Sequence, residues 1–153
     1  MLRMPENRLS PQAFQDRIYA YYREHARTFP WRETYDPYHI LVSEFMLQQT
    51  QVQRVLLKYP SFLAAFPTFE SLARSGLKEI LACWQGLGYN RRALALKSTA
   101  EIVVQAYAGE LPHDPEELMR LPGIGRSTAG AVLAFAFQIP AAFIETNIRR
   151  VFI

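Results

Sequence analysis

LPGIGRSTAG, Leu121 to Gly130, is the stretch whose reading decides the fold. Pro122 is a poor helix-interior residue, and Gly123 and Gly125 permit backbone conformations closed to side chains with a Cβ. With only Ile124 between the glycines, the turn can bring peptide N–H groups close to a ligand surface. Before it, Asp114-Pro115 with Glu117 resembles a capping-box start for a helix over DPEELMRL. After it, AVLAFAF continues as an apolar helix ending near Phe137. Ser127, Thr128, Ala129 and Gly130 are all small, so nothing bulky shields the second helix's N-terminus. Such an end carries partial positive charge and unpaired donors, which suits it to a phosphate. Two other glycine motifs fail on single residues. A dinucleotide loop wants glycine where Thr128 stands, and a nucleotide P-loop wants lysine where Ala131 stands. The same ten residues also fit an ordinary helix–turn–helix corner.

Working outward, helix signals recur along the chain. Ser10-Pro11 starts a segment carrying Phe14, Ile18, Tyr21 and Tyr22, and Asp36-Pro37 starts another that runs to about Gln48. A helical run covers Gln51 to Lys58, and SFLAAF reads as a separate short helix bounded by Pro60 and Pro67. Thr68 caps FESLAR, Leu77 to Trp84 follows, and a longer helix spans about Asn90 to Tyr107, ended by Gly109. Thr146-Asn147 opens a final apolar turn. No segment alternates with period two, and there is no repeat or low-complexity tract. The expected class is all-α: one domain over residues 1–153, with the hairpin motif at about 114–137. A last helix this short, without a C-cap, reads as the front part of a larger domain.

At 153 residues, 50% hydrophobic and 13% aromatic, the chain can build a substantial core, which excludes global disorder. No apolar run approaches the ~20 residues of a membrane helix. The first ten residues lack a signal-peptide core, and the lone Cys83 forms neither an internal disulfide nor a multi-cysteine metal site. A monomer in the cytoplasm is the expectation, with no metal ligands. Net charge is only +3, so the whole-chain field argues weakly for nucleic acid. Placement says more: Arg91, Arg92 and Lys97 follow a GLGY turn, Arg126 lies on the hairpin, and Arg149 and Arg150 come near the end. Cations beside turns fit phosphate contacts as a set, whereas any single one of them better suits a solvated surface.

Glu44 is the most informative single residue. Its neighbours three and four positions away are Ile40, Leu41, Leu47 and Gln48, so a carboxylate occupies a mostly apolar stripe. Burial of an ionised Glu is costly, and desolvation should raise its pKa and keep the proton on. A neutral carboxylic acid in a pocket is what general-acid catalysis requires. A boundary Glu whose head reaches water satisfies the same spacing.

FPWR (29–32), SEFMLQQTQV (43–52), WQGLGY (84–89) and LPGIGRSTAG, in that order, resemble blocks of the helix-hairpin-helix DNA glycosylases, and specifically those of the MutY-type adenine glycosylases. The likeness runs from about Phe29 to the last residue. It implies base-excision repair by hydrolysis of the N-glycosidic bond of adenine mispaired with guanine or 8-oxoguanine in double-stranded DNA. Glu44 would be the catalytic acid. A second carboxylate, an Asp in the family, would stabilise the sugar cation; here Glu145 stands in its place, just before Asn147. Ser127 occupies the hairpin position where relatives resembling endonuclease III carry a nucleophilic Lys, so a Schiff-base lyase step is not implied.

Extruding a base demands that the gap be filled. By resemblance Gln49 and Tyr89 would be the wedges, with Gln48 and Gly88 beside them. Thr50 and Leu87 would contact the opposing base, and Trp31 and Arg32 would line the adenine side. Leu47, Leu121, Gly123, Gly125, Arg126, Ser127 and Asn147 complete the expected DNA-facing set. The chain departs from the family at Asn90, Leu94 and Ala95, within its GLGYNRRALAL segment. Family members commonly hold a four-cysteine [4Fe-4S] cluster, expected here only in a continuation past Ile153. A thymine or uracil mismatch glycosylase of the same superfamily, or an inactive DNA-binding remnant, are the alternatives.

Overall fold

Helix caps, more than propensity, set the element boundaries. The computed structural model describes residues 9–144 and 146–152. Among these the regular structure is helical: α1 (Pro11–His25), a 3-10 turn (Pro30–Arg32), α2 (Pro37–Leu47), α3 (Val52–Ala65), α4 (Phe69–Arg74), α5 (Leu77–Trp84), α6 (Arg91–Ala106), α7 (Pro115–Arg120), α8 (Arg126–Phe135) and α9 (Thr146–Phe152). The side chains of Ser10, Asp36, Thr68 and Asp114 each accept a backbone N–H of the first turn that follows them. Those N–H groups have no intrahelical partner of their own.

The middle of the molecule is α2. Tyr38 and every residue from Ile40 to Met46 are buried, so this helix is enclosed on all sides rather than along one stripe. It packs against the 3-10 turn, α3, α6 and α8, while α4 lies along α6. Phe45, Phe62, Trp84, Leu96, Leu118 and Val132 belong to one continuous core. In contrast, α1 buries no residue: Ile18, Tyr19, Tyr21 and Tyr22 are each more than half exposed.

Two boundaries differ from the sequence reading. Residues 52–65 form a single helix that continues through Pro60, where two helices were expected. Val55, Tyr59 and Phe62 lie on one face across the proline and all are buried, so tertiary packing outweighs the missing backbone bond. The other difference is at α8, which ends at Phe135; Gln138 is left-handed (φ 57°) and the Ile139 N–H closes on the Leu133 carbonyl at 3.0 Å. Beyond that end the chain folds back, and the Phe143 ring lies against Gly130, where an added Cβ would come within 2.5 Å of it.

Candidate active site

Carbonyls pointing inward hold the hairpin between α7 and α8. Ile124 N–H donates to the Leu121 carbonyl at 3.2 Å, Thr99 Oγ1 to the Pro122 carbonyl at 2.9 Å, and Gln48 Nε2 to the Gly123 carbonyl at 3.3 Å. The Ile124 and Leu121 side chains are buried beneath the turn. Gly123 has φ 77°, and a Cβ there would meet Phe45 at 2.7 Å and Ala95 at 2.9 Å. Gly125 behaves differently: its φ is −96°, open to any residue, and an added Cβ meets nothing within 4 Å. Of the two hairpin glycines, Gly123 alone holds a backbone conformation closed to side chains with a Cβ. No side chain caps α8 at Gly125, so the first N–H groups of that helix face outward beside open space.

Glu44 is 9% exposed on α2, and Arg32 Nη2 reaches its Oε1 at 3.2 Å. The same guanidinium stacks over the Phe135 ring, 3.7 Å from the centroid, which fixes its orientation. Sequence spacing allowed either burial or a head in water; the structure shows burial, with a cation that the spacing does not reveal. Tyr59 lies close by, its phenol pushed up to about 12, first by burial and then by Asp36, with Arg32 acting the other way.

The C-terminal tip of α2 leads to Gln48, Gln49 and Thr50, and this tip divides two clefts. One, of about 650 Å³, is lined by the expected Leu47, Gln48, Gln49, Thr50, Ser127 and Asn147, joined by Gln51 and Arg150. The other, of about 340 Å³, brings Gln48, Gln49, Tyr89 and Gly123 together over Phe45 and Ala95. Gln49 (φ 55°) and Tyr89 (φ 47°) are both non-glycine residues in the left-handed region, a conformation that costs about 1–3 kcal/mol each. Both are exposed. The two residues singled out as wedges are thus the strained tips of neighbouring turns.

Other expected residues are placed elsewhere. Trp31 is 1% exposed, stacked on Phe29 and edge-on to Tyr59, and the Leu87 and Leu121 side chains are buried. All three serve the core, so none offers a side chain to a ligand in this structure. Leu87 takes part through its carbonyl, which accepts from Thr50 Oγ1 and Arg92 Nη2. The left-handed Gly88 also gives its carbonyl inward, to Trp84 Nε1 and Arg92 Nη2. Arg126 is exposed but borders a separate hollow with His113 and Met119. Glu145 lies outside the described residues.

Arg92 and Lys97 are corrections as well. Lys97 Nζ is taken by the Ala73 carbonyl and Glu101, and Arg92 is buried with its terminal N–H groups on backbone carbonyls and Thr50, so neither faces a phosphate. Arg92 was legible: it begins the stripe Arg92, Leu96, Thr99, Val103, all buried on one face of α6. Thr128, which accepts from Gln48 Nε2 at 3.4 Å, gave no comparable signal. Among the described residues no group of three or more His, Cys, Asp or Glu is placed to hold a metal, and the single Cys83 cannot supply a four-cysteine cluster.

The model of the HhH-GPD superfamily base excision DNA repair proteins matches residues 42–153, which contain Glu44, both strained tips and the hairpin. The chain belongs to the HhH-GPD superfamily. Within it, the adenine DNA glycosylase of Buchnera aphidicola subsp. Baizongia pistaciae is 43% identical over 141 residues, covering 92% of this chain and 40% of the relative. The Homo sapiens adenine DNA glycosylase is 36% identical over 148 residues, covering 91% and 27%. The chain thus spans less than half the length of the curated relatives it matches. Among solved structures, a thermostable thymine-DNA glycosylase superposes with a TM-score of 0.87 at 34% identity, covering 92% of this chain and 65% of that one. Endonuclease III, in a non-covalent complex with DNA, gives 0.80 at 24% identity over 94% and 68%, a likeness of HhH-GPD fold.

Proposed function

We propose that this chain is the catalytic portion of a monofunctional DNA glycosylase that removes adenine mispaired with guanine or 8-oxoguanine from duplex DNA, acting as a monomer. The observation that carries the reading is Glu44: a carboxyl buried to 9% exposure on the helix whose tip separates two open clefts. In the reaction Glu44 gives its proton to a ring nitrogen of the extruded base as the C1′–N bond breaks and the bonding electrons leave with the base. The sugar becomes oxocarbenium-like, a carboxylate at Glu145 stabilises it, and water adds to C1′ as its proton passes to the Glu44 carboxylate, restoring the acid. Arg32, held on Phe135, orients the Glu44 carboxyl. The uncapped start of α8 behind Gly125 takes a backbone phosphate. Gln49 and Tyr89 enter the stack, and Thr50 faces the opposing base. Leu87 drops out of that last role because its side chain is in the core. With Ser127 bordering the larger cleft, no amine from this position attacks the sugar, so the base is removed by water alone.

Adenine as the target is supported by the relatives named adenine DNA glycosylase. A thymine mismatch glycosylase is the second reading, favoured by the superposition on the thermostable enzyme. Single-turnover excision on A:G, A:8-oxoguanine and T:G duplexes separates them. The expected outcome is cleavage at adenine, lost by about 10²- to 10⁴-fold in Glu44→Gln with DNA binding retained. Cleavage at thymine alone would establish the second reading, and binding without cleavage by either protein would mark an inactive remnant.

A further inference from the structure

An α-helix leaves its last four carbonyls without intrahelical partners, and in α2 each has found one. The Glu44 carbonyl accepts the Gln48 N–H, and the Leu47 carbonyl accepts the Thr50 N–H. The two between, on Phe45 and Met46, accept Arg92 Nη1 at 2.8 and 2.9 Å. A cation at this end is also favoured by the helix dipole. Arg92 Nη2 then points the other way, to the carbonyls of Leu87 and Gly88 at 3.1 and 3.0 Å and to Thr50 Oγ1 at 2.9 Å. The guanidinium lies 5.5 Å from the Trp84 ring and 5.7 Å from the Tyr89 ring. One planar, rigid group therefore joins the end of the Glu44 helix to the 86–89 turn. Gln49 and Tyr89, each in a strained conformation, are the tips of the segments it joins.

We propose that Arg92 is a positioning residue whose guanidinium sets the spacing between the Gln49 tip and the Tyr89 tip, so that both reach the duplex together. Only a fork of donors does this: one amine could serve the α2 carbonyls or the turn, whereas the two terminal nitrogens serve both. A solvated Arg contacting phosphate would instead face outward, and Arg92 is 8% exposed. The consequence for base removal rests on the glycosylase reading; the joint itself does not.

The test uses the 153-residue chain with Arg92→Lys and Arg92→Met. Amide hydrogen exchange on the free protein reads the joint without DNA. Exchange should quicken together in residues 47–51 and 86–90 of both variants, while α4 stays as it was. Two substrates then read the consequence: adenine paired in a duplex, and adenine opposite an abasic site, where there is no partner base to break from. Misplaced tips should slow excision from the paired duplex by about 10²-fold and leave the unpaired substrate within about threefold. A parallel loss on both substrates, or unchanged exchange in the two segments, overturns the proposal. So does loss of the cooperative thermal transition in Arg92→Lys, which would make the residue structural only. If the unaltered chain excises neither substrate, the glycosylase reading fails, and the exchange arm still decides whether the joint exists.

Discussion

Gly123 and Gly125 stand two positions apart in the hairpin and answer to different constraints. At 123 the backbone is left-handed and the space is already filled by Phe45 and Ala95. Gly123→Ala should therefore cost about 1–3 kcal/mol, read as a lowered denaturant midpoint. At 125 the backbone suits any residue and the space is empty. Gly125→Ala should change stability by less than about 1 kcal/mol, the stiffer unfolded chain offsetting a poorer N-cap, yet weaken duplex binding in a titration, because the added methyl stands where a phosphate would approach. The pair separates folding from recognition within one turn. Side-chain spacing on α2 allowed Glu44 to be buried or to reach water, and the structure shows it buried. That spacing could not reveal Arg32, whose approach from twelve residues away exists only once the 3-10 turn packs on α2. For the same reason Trp31 and Leu87 read as surface contacts: a hydrophobic residue next to a functional motif can face either way until its element is docked.

At the scale of elements, α3 poses the sharpest test. Pro60 is exposed and contributes no N–H to the Leu56 carbonyl. Pro60→Ala should restore that bond, offset in part by a more flexible unfolded chain, for a net gain of about 1 kcal/mol in thermal unfolding. An unchanged or lowered melting temperature would mean that the ring itself supports the helix. Capping residues made the helix starts readable, since Ser10, Asp36, Thr68 and Asp114 act within two or three residues of their own position. Helix ends were less so. Continuity through Pro60 depends on Tyr59 and Phe62 finding the core, a gain that no local signal measures.

Over the whole molecule, two buried phenols govern behaviour in alkali. Tyr38 and Tyr59 are both raised from 10.0, mainly by burial; Tyr59 reaches about 12 and Tyr38 lies higher still. Since their folded values exceed the unfolded ones, the stability tied to them is intact below pH 10 and is lost as pH climbs toward about 12. Circular dichroism against pH should show unfolding in that interval, and Tyr59→Phe should move its midpoint upward. Which residues would share a cleft was the least readable level of all. Gln49, Ser127 and Asn147 are far apart in the chain and meet only through the stacking of α2 against α8 and the return of the chain toward α9. That return has a fulcrum. Because the Phe143 ring rests where Gly130 has only hydrogen, the returning chain meets α8 at a point with no room for a side chain. A single methyl group added there would act as a shim, and Gly130→Ala should push the Phe143 ring off α8 and lower the melting temperature with no loss of any group that does chemistry.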